Sequence, residues 1–110
     1  MDNKSNFRRG SVELLILHLL KTKDCYGYEL SLTIKKLSDG ILDIPVGSLY
    51  PALYKLIDNG YITDYKKQSG KRLTHVYYHM EESGIERLNI LLDDYFATNK
   101  GIQSVLNFDE

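Results

Sequence analysis

The last third of the chain carries an unbroken heptad of mainly apolar residues, which requires one long helix. From about Glu82 to Leu106 the spacings alternate between three and four, the repeat of helices that pack side by side. The seam consists of Ile85, Leu88, Leu92, Tyr95, Asn99, Ile102 and Leu106. Such a helix is roughly 40 Å long, more than a small domain covers. A second copy of the chain is therefore the expected partner, and packing against its own domain is the alternative.

The residues before this helix predict three short helices and a β-hairpin. The expected helices run from about Ser11 to Lys21 with Gly10 as N-cap, from Gly27 to Ser38 with Gly40 as the left-handed C-terminal residue, and from just after Pro45 to Asn59. The hairpin strands are Tyr61 to Lys67 and Leu73 to Met80, around a turn at Gln68 to Lys71, and Ile41 to Ile44 is either a short strand or an extended link. The predicted fold is mainly α with a small β-hairpin: a winged helix-turn-helix domain at 1–80 and a C-terminal dimerisation helix and tail at 81–110.

The third predicted helix separates into an apolar face and a polar face. Leu49, Leu53, Leu56 and Ile57 form the core stripe, opposite Gly47, Ser48, Pro51, Tyr54, Lys55 and Asp58, with Tyr50 at the edge. The major groove of B-form DNA is about 12 Å wide and admits one helix. Ser48, Tyr54 and Lys55 are small or hydrogen-bonding groups that suit this groove. Lys71 and Arg72 at the hairpin tip are placed to contact the DNA backbone or the minor groove.

The charge distribution separates the same two parts of the chain. Residues 1–80 hold 12 Lys or Arg against 8 Asp or Glu, whereas residues 81–110 hold 2 against 7. This asymmetry indicates a basic binding part followed by an acidic segment with another role. An unevenly charged but merely solvated surface is the alternative.

Other function classes find little support in the residues. His18, His75 and His79 have no metal-ligand spacing and the glycines form no phosphate-binding loop, so neither an enzyme, a metal site nor a cofactor is expected. No signal peptide or membrane span is predicted. The one cysteine, Cys25, cannot form an internal disulfide, which favours a reducing cytoplasm.

Several motifs resemble the PadR family of transcriptional regulators. They are Gly27-Tyr28-Glu29-Leu30, the run Gly47-Ser48-Leu49-Tyr50-Pro51-Ala52-Leu53 with Leu56, Gly60 and Ile62, and Gly70-Lys71-Arg72 followed by Tyr77-Tyr78. The resemblance spans residues 8–90 and implies a short family member with a single C-terminal dimerisation helix. It implies that double-stranded DNA is contacted by two sets of residues. Those of the third helix are Ser48, Tyr50, Pro51, Tyr54 and Lys55, and those of the wing are Lys71 and Arg72.

This sequence departs from the family pattern in two places. Glu81 stands where many members have Thr at the entrance to the last helix, so that Ser83, the Glu81 carboxylate or water would have to cap it. Leu73-Thr74-His75-Val76 are extra residues between the basic pair and the tyrosines of the wing. The reach of the wing is therefore expected to differ.

The resemblance also implies a homodimer and a ligand. Family members pair the last helix with helix one of the partner, and such a two-fold dimer binds a pseudo-palindromic operator. Some members bind planar aromatic or drug-like effectors between subunits, at positions matching Leu92, Tyr95, Phe96 and Asn99. Ordinary dimer core is the favoured alternative for these four residues, because the chain lacks tryptophan. A winged-helix module that binds a protein instead of DNA is the alternative function.

Overall fold

The computed structural model describes the backbone of residues 3–70 and 73–109, and their side chains apart from those of residues 3–10 and 69. The elements are α1 (Asn3–Leu20), β1 (Cys25–Tyr26), α2 (Gly27–Leu37), α3 (Val46–Asp58), β2 (Ile62–Ser69), β3 (Leu73–Met80) and α4 (Glu82–Leu106). The three predicted short helices, the hairpin and the long last helix are all present.

Helix α1 is the central element, in contact with α2, α3, β3 and α4. Ile16 and Leu17 on it are fully buried, whereas Leu15 and Leu19 are half-buried. The apolar width of this helix is therefore largely used within the protomer. Gly10 is not its N-cap, because the helix begins at Asn3. Once the buried turns have formed, each added residue gains a hydrogen bond without a new nucleation cost, so the helix extends through a glycine.

Helix α2 ends within one residue of the prediction, and Gly40 is left-handed as predicted, together with Asp39 before it. The left-handed position after the helix is Asp39, with φ of 54°, and Gly40 follows with φ of 82°. The Gly40 and Asp39 N–H groups donate to the carbonyl oxygens of Lys35 and Lys36 at 2.8 and 3.2 Å, a Schellman arrangement. Leu37, the last residue of the helix, is 71% exposed. Residues 41–44 form a link without strand structure.

The sheet has three antiparallel strands in the order β1-β3-β2, one more than the predicted hairpin. Cys25 and Tyr26 of β1 pair with Tyr78 and Tyr77 of β3. The hairpin register extends to Ser69 opposite Leu73, so Gln68 and Ser69 belong to β2 and not to the turn predicted at Gln68 to Lys71. The extra wing residues 73–76 thus lengthen β3 and its pairing with β2.

Helix α4 has the predicted bounds and two different environments. Near its start Gly84 is buried and Leu88, 1% exposed, lies in the protomer core beside half-buried Leu91 and Leu92. From Asp93 onwards every described side chain is exposed. The first turns of α4 therefore pack on their own domain, which was the alternative expectation. The exposed remainder of the helix is the part for which a second copy of the chain stays the expected partner.

None of the described side chains caps the amino end of α4. Glu81 occupies the N-cap position without a capping hydrogen bond. Its carboxylate accepts a hydrogen bond from the Thr63 hydroxyl at 2.9 Å, and the Ser83 hydroxyl donates to the carbonyl oxygen of Gly60 at 2.6 Å. Both candidate caps thus bind the start of the hairpin instead, and they hold α4 against it. No described helix is long and apolar enough to span a membrane.

Candidate nucleic-acid interface

Helix α3 exposes its polar face to solvent, while its opposite face is buried in the core. Leu49, Leu53 and Leu56 are almost completely buried. Opposite them lie the exposed residues Gly47, Ser48, Pro51, Tyr54, Lys55 and Asp58. Tyr54 is 57% exposed, and Tyr50 is half-buried at the edge, with the two ring centroids 6.2 Å apart. The face predicted to enter a DNA groove therefore projects from the molecule with its backbone held by the core.

Two prolines shape the first turns of α3. The carbonyl oxygen of Pro45, the N-cap residue, accepts hydrogen bonds from the N–H groups of Ser48 and Leu49 at 2.9 and 3.0 Å. Pro51 lies inside the helix, which nevertheless continues to Asp58. Because a proline has no N–H, the Gly47 carbonyl lacks its usual donor from residue 51, at the helix start where this costs least.

The wing adds positive charge beside this helix. Lys66 and Lys67 of β2 are exposed, and Lys67 Nζ lies 5.5 Å from the centre of the Tyr77 ring. Lys71 and Arg72, the two wing residues predicted to grip DNA, lie outside the described residues. Their contacts with DNA stay a prediction, as do those of Ser48, Tyr50, Pro51, Tyr54 and Lys55.

An open cleft separates α3 from the wing. It has a volume of about 280 Å³ and is bordered by the amino end of α2, by α3 and by the outer part of β3. Aromatic rings form most of its lining, which also includes Gly27, Thr74 and Val76. The rings are those of Tyr26, Tyr28, Tyr50, Tyr54, His75 and Tyr78. We call this feature the tyrosine cleft.

Gly27 explains how Tyr50 reaches the amino end of α2. A Cβ atom at Gly27 would lie 2.6 Å from Tyr50 Oη and 2.9 Å from Cζ, closer than real Cβ atoms approach. The glycine therefore leaves the space that the Tyr50 phenol fills. Tyr78 also borders the cleft and is 3% exposed. Burial raises the pKa of Tyr78 to about 12, with smaller contributions from Tyr50, Tyr54 and the Asp64 carboxylate.

A second cluster, the Asp24 bridge, ties the wing to the loop after α1. The Asp24 carboxylate accepts a hydrogen bond from Tyr65 Oη of β2 at 2.6 Å, and its other oxygen lies 2.8 Å from His79 Nδ1 of β3. The hydrogen bond from Tyr65 holds the pKa of Asp24 below its usual value. The bond to Asp24 raises the pKa of His79, and the same carboxylate raises the pKa of Tyr65 to about 12.

On α4, the residues predicted for dimerisation and for a ligand differ in exposure. Leu88 is buried within its own protomer, Leu92 is half-buried, and Ile85, Tyr95, Asn99, Ile102 and Leu106 are exposed. Tyr95 and Phe96 stack edge to face with ring centroids 5.3 Å apart. Except for Leu88, these predicted residues keep surface available for a partner or ligand.

Two features of the site were not predicted. The tyrosine cleft joins residues of α2, α3 and β3, and the Asp24 bridge joins residues separated by 41 and 55 positions. The acid beside His79 was missed because it lies on another part of the chain. The signal available in the sequence was the unusual number of tyrosines, nine in 110 residues.

Helices α2 and α3 followed by a paired hairpin define a protein of the winged helix-turn-helix class, here with a long helix appended. Residues 16–90 match the model of the transcriptional regulator PadR-like family. The chain therefore belongs to the PadR-like family of transcriptional regulators. The resemblance noted from the sequence motifs is confirmed, and so is the predicted fold, apart from the additional strand.

Solved structures and a curated relative agree with this assignment. A transcriptional regulator from Clostridium thermocellum is 33% identical, with a TM-score of 0.83 over 90% of this chain and 96% of that chain. Bacillus subtilis PadR in complex with operator DNA is 28% identical, with a TM-score of 0.67 over 74% of this chain and 46% of that chain. The transcriptional regulator YqjI of Escherichia coli is 35% identical over 66 residues, 60% of this chain and 32% of that protein. The chain thus matches about a third of the length of its curated relative.

Proposed function

We propose that the chain is a sequence-specific repressor that binds double-stranded DNA as a homodimer. The observation that carries the proposal is the polar face of α3, where Ser48, Tyr54 and Lys55 are exposed above a fully buried leucine base. Exposed Lys66 and Lys67 on the neighbouring wing supply charge for phosphate contacts. The similarity to PadR, whose solved structure contains operator DNA, supports the same role.

Binding to the promoter region of its own gene tests this proposal. We expect the protein to prefer that duplex over a random one of equal length, with an affinity that falls steeply as salt rises, because phosphate contacts release counterions. Lys71→Ala with Arg72→Ala should weaken binding to every duplex, whereas Ser48→Ala or Tyr54→Phe should change the preferred sequence. Equal affinity for promoter and random DNA would contradict the repressor role.

The homodimer is proposed from α4. Residues 1–80 would form the DNA-binding part and residues 81–110 the dimerisation part, with Tyr95, Ile102 and Leu106 exposed along one face. Half-buried Leu15 and Leu19 of α1 offer additional apolar surface for the partner. A two-fold dimer would bind two half-sites about one DNA turn, or a multiple of it, apart.

The most detailed part of the proposal is that the protein responds to an aromatic effector. Leu92, Tyr95, Phe96 and Asn99 would contact the ligand where the two subunits meet, although their side chains serve a dry dimer core equally well. A thermal-shift screen of planar aromatic compounds separates the two roles. A ligand that stabilises the wild type but not Tyr95→Ala supports an effector site, whereas no stabilisation by any compound supports dimer core alone.

A winged-helix module that binds a protein is the second candidate. The exposed apolar residues Leu37, Ile41 and Val46 around the α2–α3 link are the observation that favours it. The two candidates differ in their dependence on α3: a protein-binding module using this link would keep its partner when Lys55 and Tyr54 are replaced, and would show no salt-dependent affinity for DNA.

A further inference from the structure

The tyrosine cleft has the chemistry of an anion site on the proposed DNA-facing surface. Its lining holds no carboxylate among the described residues that border it. The nearest acid of α2, Glu29, accepts hydrogen bonds from Lys23 Nζ at 3.0 Å and from the Tyr26 N–H at 3.2 Å. The charge of Glu29 is thus already balanced by a lysine. Asp64 of β2, the register partner of Tyr78 on β3, also acts on the Tyr78 phenol, and its exposed carboxylate is the acid that opposes an anion there.

The amino end of α2 supplies one half of such a site. The first N–H groups of an α-helix have no acceptor within the helix, and their partial positive charge attracts anions. In α2 these groups belong to Gly27 and Tyr28, both of which border the cleft. The helix has 11 residues, long enough for this effect.

Tyr78 supplies the other half, independently of the helix. It is only 3% exposed, yet it borders the cleft. No hydrogen bond joins its phenol to any other described residue, and its oxygen is not among the fully buried unpaired atoms, so it keeps some contact with solvent. When DNA covers the cleft and displaces water, a hydroxyl left without an acceptor would cost about 1–3 kcal/mol, so a ligand that accepts its hydrogen bond is favoured there. Because the pKa of Tyr78 is about 12, the phenol keeps its proton at neutral pH and can donate a hydrogen bond to an anion.

We propose that the tyrosine cleft binds one backbone phosphate of the DNA, held by the N–H groups of Gly27 and Tyr28 and by the Tyr78 hydroxyl. The rings of Tyr28 and Tyr54 lie beside it and pack against the deoxyribose. This inference rests on the proposed function, since it names the part of the DNA that this cleft takes. A contact of this kind fixes the position of α3 on the duplex without reading a base.

Tyr78→Phe is the decisive variant, because it removes one oxygen and keeps the ring. We expect about a tenfold loss of affinity for every duplex, promoter and random alike, since a hydrogen bond to a charged group is lost. The slope of affinity against salt should stay unchanged, because no cation is removed. By contrast, Lys66→Ala should lower that slope by about one if Lys66 neutralises a phosphate. Tyr61→Phe is the matched control, a half-buried tyrosine away from the cleft, and should bind as the wild type does.

Duplexes with single neutral methylphosphonates locate the phosphate. For the wild type, replacement of one phosphate in each half-site should cost more than Tyr78→Phe does, because the contacts of the Gly27 and Tyr28 N–H groups are weakened as well. In the variant that same replacement should cost about tenfold less affinity than in the wild type, since the bond to Tyr78 is already absent. Equal costs in the wild type and Tyr78→Phe at every phosphate would overturn the inference. So would an unchanged affinity of Tyr78→Phe, provided that its circular dichroism matches the wild type. If Tyr78→Phe is misfolded, Tyr28→Ala takes its place in the same scan.

Two further outcomes are distinguishable. Titration with inorganic phosphate is followed by the chemical shifts of the Gly27 and Tyr28 amides. If these shifts saturate below millimolar phosphate, the cleft binds a free ion, and the proposal that it binds a phosphate of the DNA backbone is wrong. If the wild type shows no promoter preference but a phosphate coupled to Tyr78 is found, the repressor proposal fails while the phosphate site stands.

Discussion

Glycines at two positions of α4 show how strongly the meaning of a residue depends on its surroundings. Gly84 is buried where α4 crosses the start of the hairpin, and a Cβ there would collide with the Tyr61 carbonyl oxygen and lie 2.6 Å from Met80 Sδ. Gly101 lies in the exposed half of the same helix, where a Cβ would meet no neighbouring atom within 4 Å. The first glycine is required by packing, whereas the second only lowers helix propensity.

These surroundings predict opposite effects of one substitution. Gly84→Ala should destabilise the fold by about 1–3 kcal/mol, because the carbonyl is backbone and cannot rotate away. Gly101→Ala should stabilise it by up to about 1 kcal/mol, because alanine favours the helix. Urea unfolding of both variants at one protein concentration measures the two changes. Equal effects would contradict the packing of α4 on the hairpin.

A second contrast lies on α3. Leu53 is fully buried, and the neighbouring Lys55 is exposed. Leu53→Ala should cost about 2–5 kcal/mol of unfolding free energy, as for other buried leucines, while Lys55→Ala should change it by less than about 0.5 kcal/mol. Thermal or urea unfolding of the two variants measures both changes. A large loss of stability in Lys55→Ala would show that this face of α3 is not free.

Among the described elements, the wing is expected to have an attachment that depends on pH, through His79 and Asp24. His79 faces the Asp24 carboxylate, with Glu81 also raising its pKa, while Tyr65 and Lys67 face Asp24 from β2. Because the pKa of His79 in the fold lies above its ordinary value of 6.5, its pairing with Asp24 stabilises the protein most below that pH. The stabilisation is lost as pH rises through the raised pKa.

His79→Gln should therefore lower the unfolding free energy more at about pH 6 than at about pH 8.5. The effect should be under about 1 kcal/mol, since both side chains are partly exposed and solvent screens the pair. Denaturant titrations of the wild type and the variant across this range measure the difference. His18→Gln, at an exposed histidine on α1, is the comparison that separates this effect from the loss of a surface histidine in general. A larger loss at the higher pH would reverse the sign and refute the pairing.

Elements with a long periodic pattern were predictable, and those made by tertiary contact were not. The heptad predicted the bounds of α4 because one pattern repeats along its 25 residues, and the same holds for α3 with its leucine stripe and Pro45 start. Strand β1 has only two residues and therefore no period to detect. The Asp24 bridge and the tyrosine cleft depend on residues of separate elements meeting, which spacing along the chain does not encode.

At the scale of the whole molecule, α4 divides into two halves. The half up to Leu92 packs on the protomer core, and the half from Asp93 to Leu106, here called the free half, is exposed. Ile90 and Ile102 are both exposed isoleucines on α4, but only Ile102 belongs to the heptad seam. If the proposed dimer forms through this seam, Ile102→Asp should convert it to a monomer at micromolar concentration, because a charge would be buried without a partner. Ile90→Asp, on another face, should leave the dimer intact. Sedimentation equilibrium measures both, and a monomeric wild type would contradict the proposed assembly.

The joining of α4 to the core has a mechanical consequence. Gly84 packs closely against the hairpin, and the helix is continuous from there to Leu106. Its free half therefore acts as a lever about 20 Å long. A rotation of about ten degrees at the root of this lever would shift its far end by roughly 3 Å over that length. In a dimer the same geometry works in reverse: a small change in the angle between two such levers would alter the distance between the two α3 helices, and with it the operator spacing that the pair can span.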